Sequence, residues 1–319
     1  SVAPLVHATQ ITIANVDGAA EGFNDPTPVT PVGNNPGTTI GEQRLIVFEY
    51  AAGIWESIVD SSVEIIVEAK FDPLTCTTTS AILGSAGATK YHRDFANAPV
   101  SVTWYSVAQA NSLAGFDLEP ASADVSATFN ASIDNNNNCL SNTNWYYGLD
   151  GNKPANTIEL LSVVMHEIGH GLGFLTLVDL ATGSKALNIN DAYMLNLEDH
   201  SRGRTWDQLN NAQRAASATD TADLHWIGSN VTSRIGSYTG GVNNGHIRMY
   251  APGTVNPGSS VSHFSNALAP NELMEPFDTG PKPGPGLSQE LLLDLGWGVF
   301  PDSKPVVSTL ADASMLQGG

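Results

Sequence analysis

The stretch Thr157–Phe174 carries the strongest helical signal in the chain, and it sets two histidines on one face. Ile158, Leu161, Val164/Met165 and Ile168 recur at three- and four-residue steps, which predicts an amphipathic helix, and Gly171 and Gly173 supply a stop. Inside it lies His166-Glu167-Ile168-Gly169-His170. Positions four apart on a helix are neighbours, so both imidazoles can reach one metal ion. Glu167 stands beside the first ligand, where it can take a proton from a metal-bound water. Zinc lowers the pKa of such a water to about 7.

Two histidines leave a catalytic zinc site one ligand short, because such sites hold three protein ligands and an open position. Gly173, three residues past His170, allows the helix to break sharply. The short metzincin pattern would then place a third histidine at position 176, but that residue is Thr176. His200, His225, His246 and His263 remain downstream. His263 stands in Ser262-His263-Phe264, closely followed by Asn271-Glu272-Leu273-Met274-Glu275-Pro276.

At this point the sequence resembles the leishmanolysin-type metzincins, in which an insertion separates the glycine turn from the third histidine and a Met-turn follows it. The resemblance covers two blocks, His166–Phe174 and Ser262–Pro276, and more loosely the helix–strand order before them. It implies that His166, His170 and His263 bind zinc, that Glu167 is the general base, and that Met274 packs beneath the metal without ligating it. It also implies an edge strand that pairs with extended substrate, and Ala123–Ile133 is the last alternating run before the helix. Where some metzincins carry a tyrosine after the Met-turn, this chain has Phe277.

Composition narrows the partners. The 319 residues hold 13 Lys+Arg against 32 Asp+Glu, a formal net charge of −19. Such a field repels nucleic acid and anionic membrane surfaces. No apolar run approaches the roughly 18 residues of a membrane span. The chain is rich in Gly, Pro, Asn, Ser and Thr and begins at Ser1 rather than Met, which suits a secreted protein that has lost a leader. In that compartment Cys76 and Cys139 are expected to form a disulfide. Asp134–Asn138 and Asp150–Asn152 offer oxygen ligands to calcium, although neither has the spacing of a calcium-binding loop.

The pattern predicts an α+β fold. A twisted mixed sheet and two long helices, Glu42–Asp60 and Thr157–Gly171, fill the N-terminal half (1–172). A loop-rich C-terminal half (173–300) contains the insertion (175–260), the Met-turn and a terminal helix over Ser288–Leu295 with Ser288 as its N-cap. Strands are expected over Ala8–Val16, Val63–Phe71 and Val100–Tyr105, a helix over Thr205–Ser217, and a tail or linker over 301–319. His200 and His225 read as solvated loop residues, and His246 as ambiguous between loop and a strand lining the cleft.

The function expected is a secreted, monomeric zinc endopeptidase acting on protein or peptide substrates. One alternative is a zinc hydrolase of another clan, with Glu198 or Asp191 as a carboxylate third ligand. The other is a noncatalytic adhesion or binding module that keeps the metal.

Overall fold

The computed structural model describes residues 9–299, so the expected tail over 301–319 lies outside the described residues. The architecture is α+β, built first on a four-stranded sheet. Its strands are β1 (Ile11–Asn15), β2 (Ile65–Asp72), β3 (Gly84–Ala88) and β4 (Val125–Asn130), in the order β1-β2-β4-β3. β1, β2 and β4 run parallel, whereas β3 is antiparallel to β4, with Gly84 opposite Phe129 and Ala88 opposite Val125. In β2 every second residue (Ile65, Val67, Ala69, Phe71) is buried, the signature of a strand with one face on a core.

That face is covered by α1 (Ile40–Glu56). Thr39 and Glu42 form a reciprocal capping box at its start, each side chain taking the other's backbone amide. Phe23, Phe48, Phe71 and Phe129 interlock where the helix meets the sheet, with Phe48 perpendicular to Phe23 and close to perpendicular to Phe129, centroids 4.7 Å away in both cases. The helix ends four residues before the expected Asp60. Ile58 and Val59 are β-branched, and Val59–Asp60 instead pairs with Gly298–Val299 near the chain's far end.

After α2 (Val107–Ala114) and β4 comes α3 (Leu160–Gly171), the helix carrying the histidine pair. It starts later than expected, because Thr157–Glu159 is extended and pairs with Asn144–Tyr146. Every residue of α3 except His166 is buried, as expected of a helix enclosed on all sides. Trp55 of α1 is fully buried and its Nε1 donates to the Met165 carbonyl at 3.1 Å, which fixes α3 against α1 one residue before His166.

The run Ala123–Ile133, expected as the edge strand, forms β4 over Val125–Asn130 and is interior: β2 lies on one side and β3 on the other. The edge is Gly84–Ala88, a Gly-Ser-Ala-Gly-Ala strand. Its small residues let α3 approach closely, since a Cβ on Gly84 would stand 2.9 Å from Cγ of Glu167. Cys76 and Cys139 form a disulfide that joins the β2–β3 loop to the loop after β4.

The insertion folds more regularly than its sequence suggests. β5 (Leu197–Asp199), β6 (Leu224–Trp226) and β7 (His246–Arg248) form an antiparallel sheet edged by Arg204–Thr205 and Val242–Asn243. Leu197, Leu224, Trp226 and Ile247 are buried, so this sheet joins the same continuous core as α1 and α3. The helix expected over Thr205–Ser217 is shorter: a 3-10 turn at Trp206–Gln208 precedes α4 (Asn211–Ser217), which is capped by Asn210 and Gln213. The terminal helix, α5, spans Leu287–Asp294. Ser288 is not its cap; the Leu287 amide is taken by the carboxylate of Glu272, from the Met-turn, at 2.8 Å. Among the described residues no helix is long and apolar enough to cross a membrane.

Candidate metal centre

Two backbone events bring three imidazoles together. The first is the end of α3. Gly173 adopts a φ of +117°, a region that glycine enters without steric cost, and the chain turns back so that the Phe174 carbonyl faces His170. The second is the turn at Leu273–Met274. The Phe264 amide donates to the Met274 carbonyl at 2.8 Å, so the His263 segment and the Met-turn are held side by side.

The result is a triangle of nitrogens. Nε2 of His166 lies 3.1 Å from Nε2 of both His170 and His263, and the His170–His263 separation is 3.2 Å. His170 and His263 are 93 residues apart in sequence. On the far side of each ring Nδ1 faces a main-chain carbonyl: Leu273 for His166 at 2.8 Å, Phe174 for His170 at 2.8 Å, Ser259 for His263 at 2.7 Å. A carbonyl only accepts, so each Nδ1 carries the proton and each neutral ring turns a bare Nε2 lone pair toward the other two. Three lone pairs at these distances repel one another, and none can donate to its neighbours. A cation between them removes the conflict, and the group His166–His170–His263 could hold a metal ion.

Burial tunes the same groups. Desolvation pushes His166 down to about 4 and His170 to about 3, and the neighbouring imidazole adds to the shift of His170. His263 is displaced well below the ordinary imidazole value for the same reasons. The rings therefore stay neutral, the ligating form, far into acid. Desolvation raises the Glu167 carboxyl to about 8, partly opposed by the Ala86 amide of the edge strand. Glu167 is buried, yet it lines the same open cleft of about 800 Å³ as the three histidines, Gly84–Ala86 and Phe277.

Met274 is fully buried beneath α3. Its Sδ would stand 3.0 Å from a Cβ on Gly169, so it packs against the helix between the two histidines. Thr176, where the short pattern would put a histidine, lies beside His263's segment, its amide donating to Ser262 Oγ at 3.2 Å. Asp191 is not brought to the histidines. Its carboxylate is used by the Thr176 hydroxyl and by the amides of Leu177 and Met194. Glu198 is also elsewhere: it lies on β5 and forms a second group with His200, just after β5, and His225. His225, expected in a solvated loop, is instead fully buried on β6. His246 lies on β7 and is not among the residues lining the cleft. The Asp134 carboxylate accepts from Arg44, the Tyr147 hydroxyl and the Trp145 amide, and that of Asp150 from the Tyr146 hydroxyl and the Asn152 amide.

The edge strand next to Glu167 is the part of the site that the sequence did not signal. Gly84–Ala88 lacks β-branched and aromatic residues, and its only available clue was a pair of glycines three positions apart. No known protein family, no curated protein and no solved structure matches this chain.

Proposed function

We propose that the protein is a secreted, metzincin-like zinc endopeptidase. The observation that carries this reading is the convergence of three Nδ1-protonated histidines beside a desolvated glutamate, in a cleft edged by a strand with a free side. Ligands 2.0–2.1 Å from a tetrahedral zinc ion lie about 3.3–3.4 Å from one another, close to the 3.1–3.2 Å triangle of Nε2 atoms. Three neutral imidazoles with carbonyl-anchored Nδ1 atoms are a donor set that suits zinc and leaves its fourth position to the cleft. Bound there, zinc supplies Lewis-acid polarisation of a carbonyl and a more acidic water.

The chain's own residues account for the rest of the chemistry. Among the described residues β3 is an edge of its sheet, so an extended peptide can add to it as a further strand and cross the cleft beside Glu167. Burial gives the Glu167 carboxylate a higher proton affinity than that of an exposed glutamate. It is thereby suited to take a proton from the attacking water and hand it to the departing amine nitrogen. Leu273, Phe174 and Ser259 hold the ligand rings in one tautomer and one orientation. Phe277, about half exposed at the cleft, offers apolar contact to substrate but no hydroxyl for an oxyanion. The disulfide supports an oxidising compartment, and the net charge of −19 argues against nucleic acid as substrate.

The test pairs zinc content with cleavage of an unstructured protein such as casein, in wild type and Glu167→Gln. The expected result is zinc at the histidine triangle in both and a loss of cleavage of a hundredfold or more in the variant, since a positioned acid–base contributes roughly 10²–10⁴. Equal cleavage by the two proteins, or no cleavage by zinc-loaded wild type, would overturn the reading.

A further inference from the structure

The insertion holds a second group of the same chemical kind. Glu198 on β5 and His225 on β6 are a cross-strand pair, and His200 follows Glu198 by two residues, so all three side chains share one face of the sheet. The opposite face presents Leu197, Leu224 and Trp226 to the core. Oε2 of Glu198 stands 3.6 Å from Nδ1 of His200 and 3.8 Å from Nδ1 of His225, and one ligand atom from each of the three residues lies within 4.8 Å of the other two.

His225 is 0% exposed, and its Nε2 faces the Ala222 carbonyl at 3.0 Å, which places the ring proton there and leaves Nδ1 bare. That Nδ1 and Glu198 Oε2 are both buried without a hydrogen-bond partner. Two acceptors therefore face each other across a gap too long for a hydrogen bond, each lacking the positive partner that a buried polar atom requires.

We propose that Glu198, His200 and His225 form a second metal site, selective for a zinc-class divalent ion over calcium or magnesium. Two imidazole nitrogens and one carboxylate match the first and not the hard, all-oxygen sets of the others. His246, on the same face of the neighbouring strand with its ring centroid 6.1 Å from that of His225, is the nearest further imidazole. Arg248 shares this face but directs its guanidinium to the Thr221 carbonyl.

The site's role is structural. The Met249 amide donates to the Leu224 carbonyl, Ser265 to Arg248 and Tyr250 to His263, each at 2.9 Å, so the platform bearing the second group runs directly into the segment that presents His263. An ion there clamps β5 to β6 and stiffens that platform.

Equilibrium dialysis of the full chain against Zn2+, with elemental analysis, tests the assignment independently of any peptidase activity. Wild type should hold two ions per chain; His166→Ala/His170→Ala should keep one, and Glu198→Gln and His200→Ala should each keep one. His200 is exposed, so its variant removes a ligand without opening the core. A single ion in wild type that persists in Glu198→Gln and His200→Ala, or two ions unaffected by both, would overturn the proposal.

Discussion

Gly171→Ala probes how closely α3 must approach the sheet for the triangle to form. A Cβ at this position would sit 2.4 and 2.6 Å from the two γ-methyls of Val125 and 3.1 Å from its Cβ. Carbon atoms rest about 3.5–4.0 Å apart, so helix and strand must separate by about 1 Å. Rotating Val125 gives no relief, because its own Cβ is also too near, and the residue is fully buried in the interior strand β4. Overpacking of this sort costs about 1–3 kcal/mol, set against less than about 1 kcal/mol gained from alanine's helix propensity in a last turn. We therefore expect Gly171→Ala to destabilise the metal-free protein by about 2 kcal/mol in urea unfolding. It should also weaken zinc binding, because His170 is the preceding residue and moves with the helix. Val125→Ala removes both offending methyls, so the double variant should recover at least about 1 kcal/mol relative to the sum of the single changes. Gly169→Ala is the contrast: its Cβ meets the flexible Met274 side chain at 3.0 Å, which can yield, so the cost should stay below about 1 kcal/mol. A Gly171→Ala protein as stable as wild type, or strictly additive double-variant energies, would refute the argument.

Gly53→Ala should act in the opposite sense: it lies on the exposed side of α1, where a Cβ meets nothing within 4 Å, and should raise the urea midpoint by the equivalent of about 0.5–1 kcal/mol. The pH dependence of the metal-free protein should have two limbs. The histidines of the triangle, with His166 lowered to about 4, His170 to about 3 and His263 well below the ordinary imidazole value, contribute stability that is present above pH 6.5 and lost as the pH falls. Glu167, raised to about 8 from 4.5, contributes stability that is present below 4.5 and lost as the pH rises through 8. Urea midpoints in chelator at pH 5, 6.5 and 8.5 should thus separate the two limbs, and Glu167→Gln should selectively flatten the alkaline one.

What could be read from the sequence was whatever one segment encodes alone. The histidine pair was legible because helix periodicity and ligand spacing coincide in a dozen residues, and the disulfide because only two cysteines exist. The edge strand was not, because Gly84–Ala88 has no intrinsic strand preference: β4 on one side and α3 above impose its conformation, and Glu167 excludes a larger residue at Gly84. Ser288 failed as a cap for a related reason. A carboxylate 15 residues upstream, Glu272, reaches the helix start first, which a local cap motif cannot anticipate. His225 looked solvated because the insertion as a whole is polar, although Leu224 and Trp226 flank it, and a three-residue strand is too short to display a period of two.

The same division explains how a site split across the chain can be well ordered. Each ligand ring is oriented by a carbonyl from a turn: Phe174 beyond Gly173, Leu273 at the Met-turn, Ser259 just before His263. The Phe174 and Ser259 carbonyls lie four residues from their rings, but the Leu273 carbonyl reaches His166 and the His263 ring meets the other two only when α3, the Met-turn and the insertion are packed together, so the unfolded chain has no preformed three-histidine site. With zinc as the ion of the proposed site, binding energy at the triangle would be folding energy, and the stabilisation would grow as RT ln(1 + [Zn2+]/Kd), about 4 kcal/mol at a thousandfold excess over Kd. The thermal midpoint should therefore climb with free zinc well beyond one equivalent. His263→Ala should lose the part of that climb due to the triangle, although the residue lies 93 positions from the helix that supplies the other two ligands. A midpoint in that variant which follows zinc as steeply as in wild type would mean that His263 is not part of the metal-binding unit.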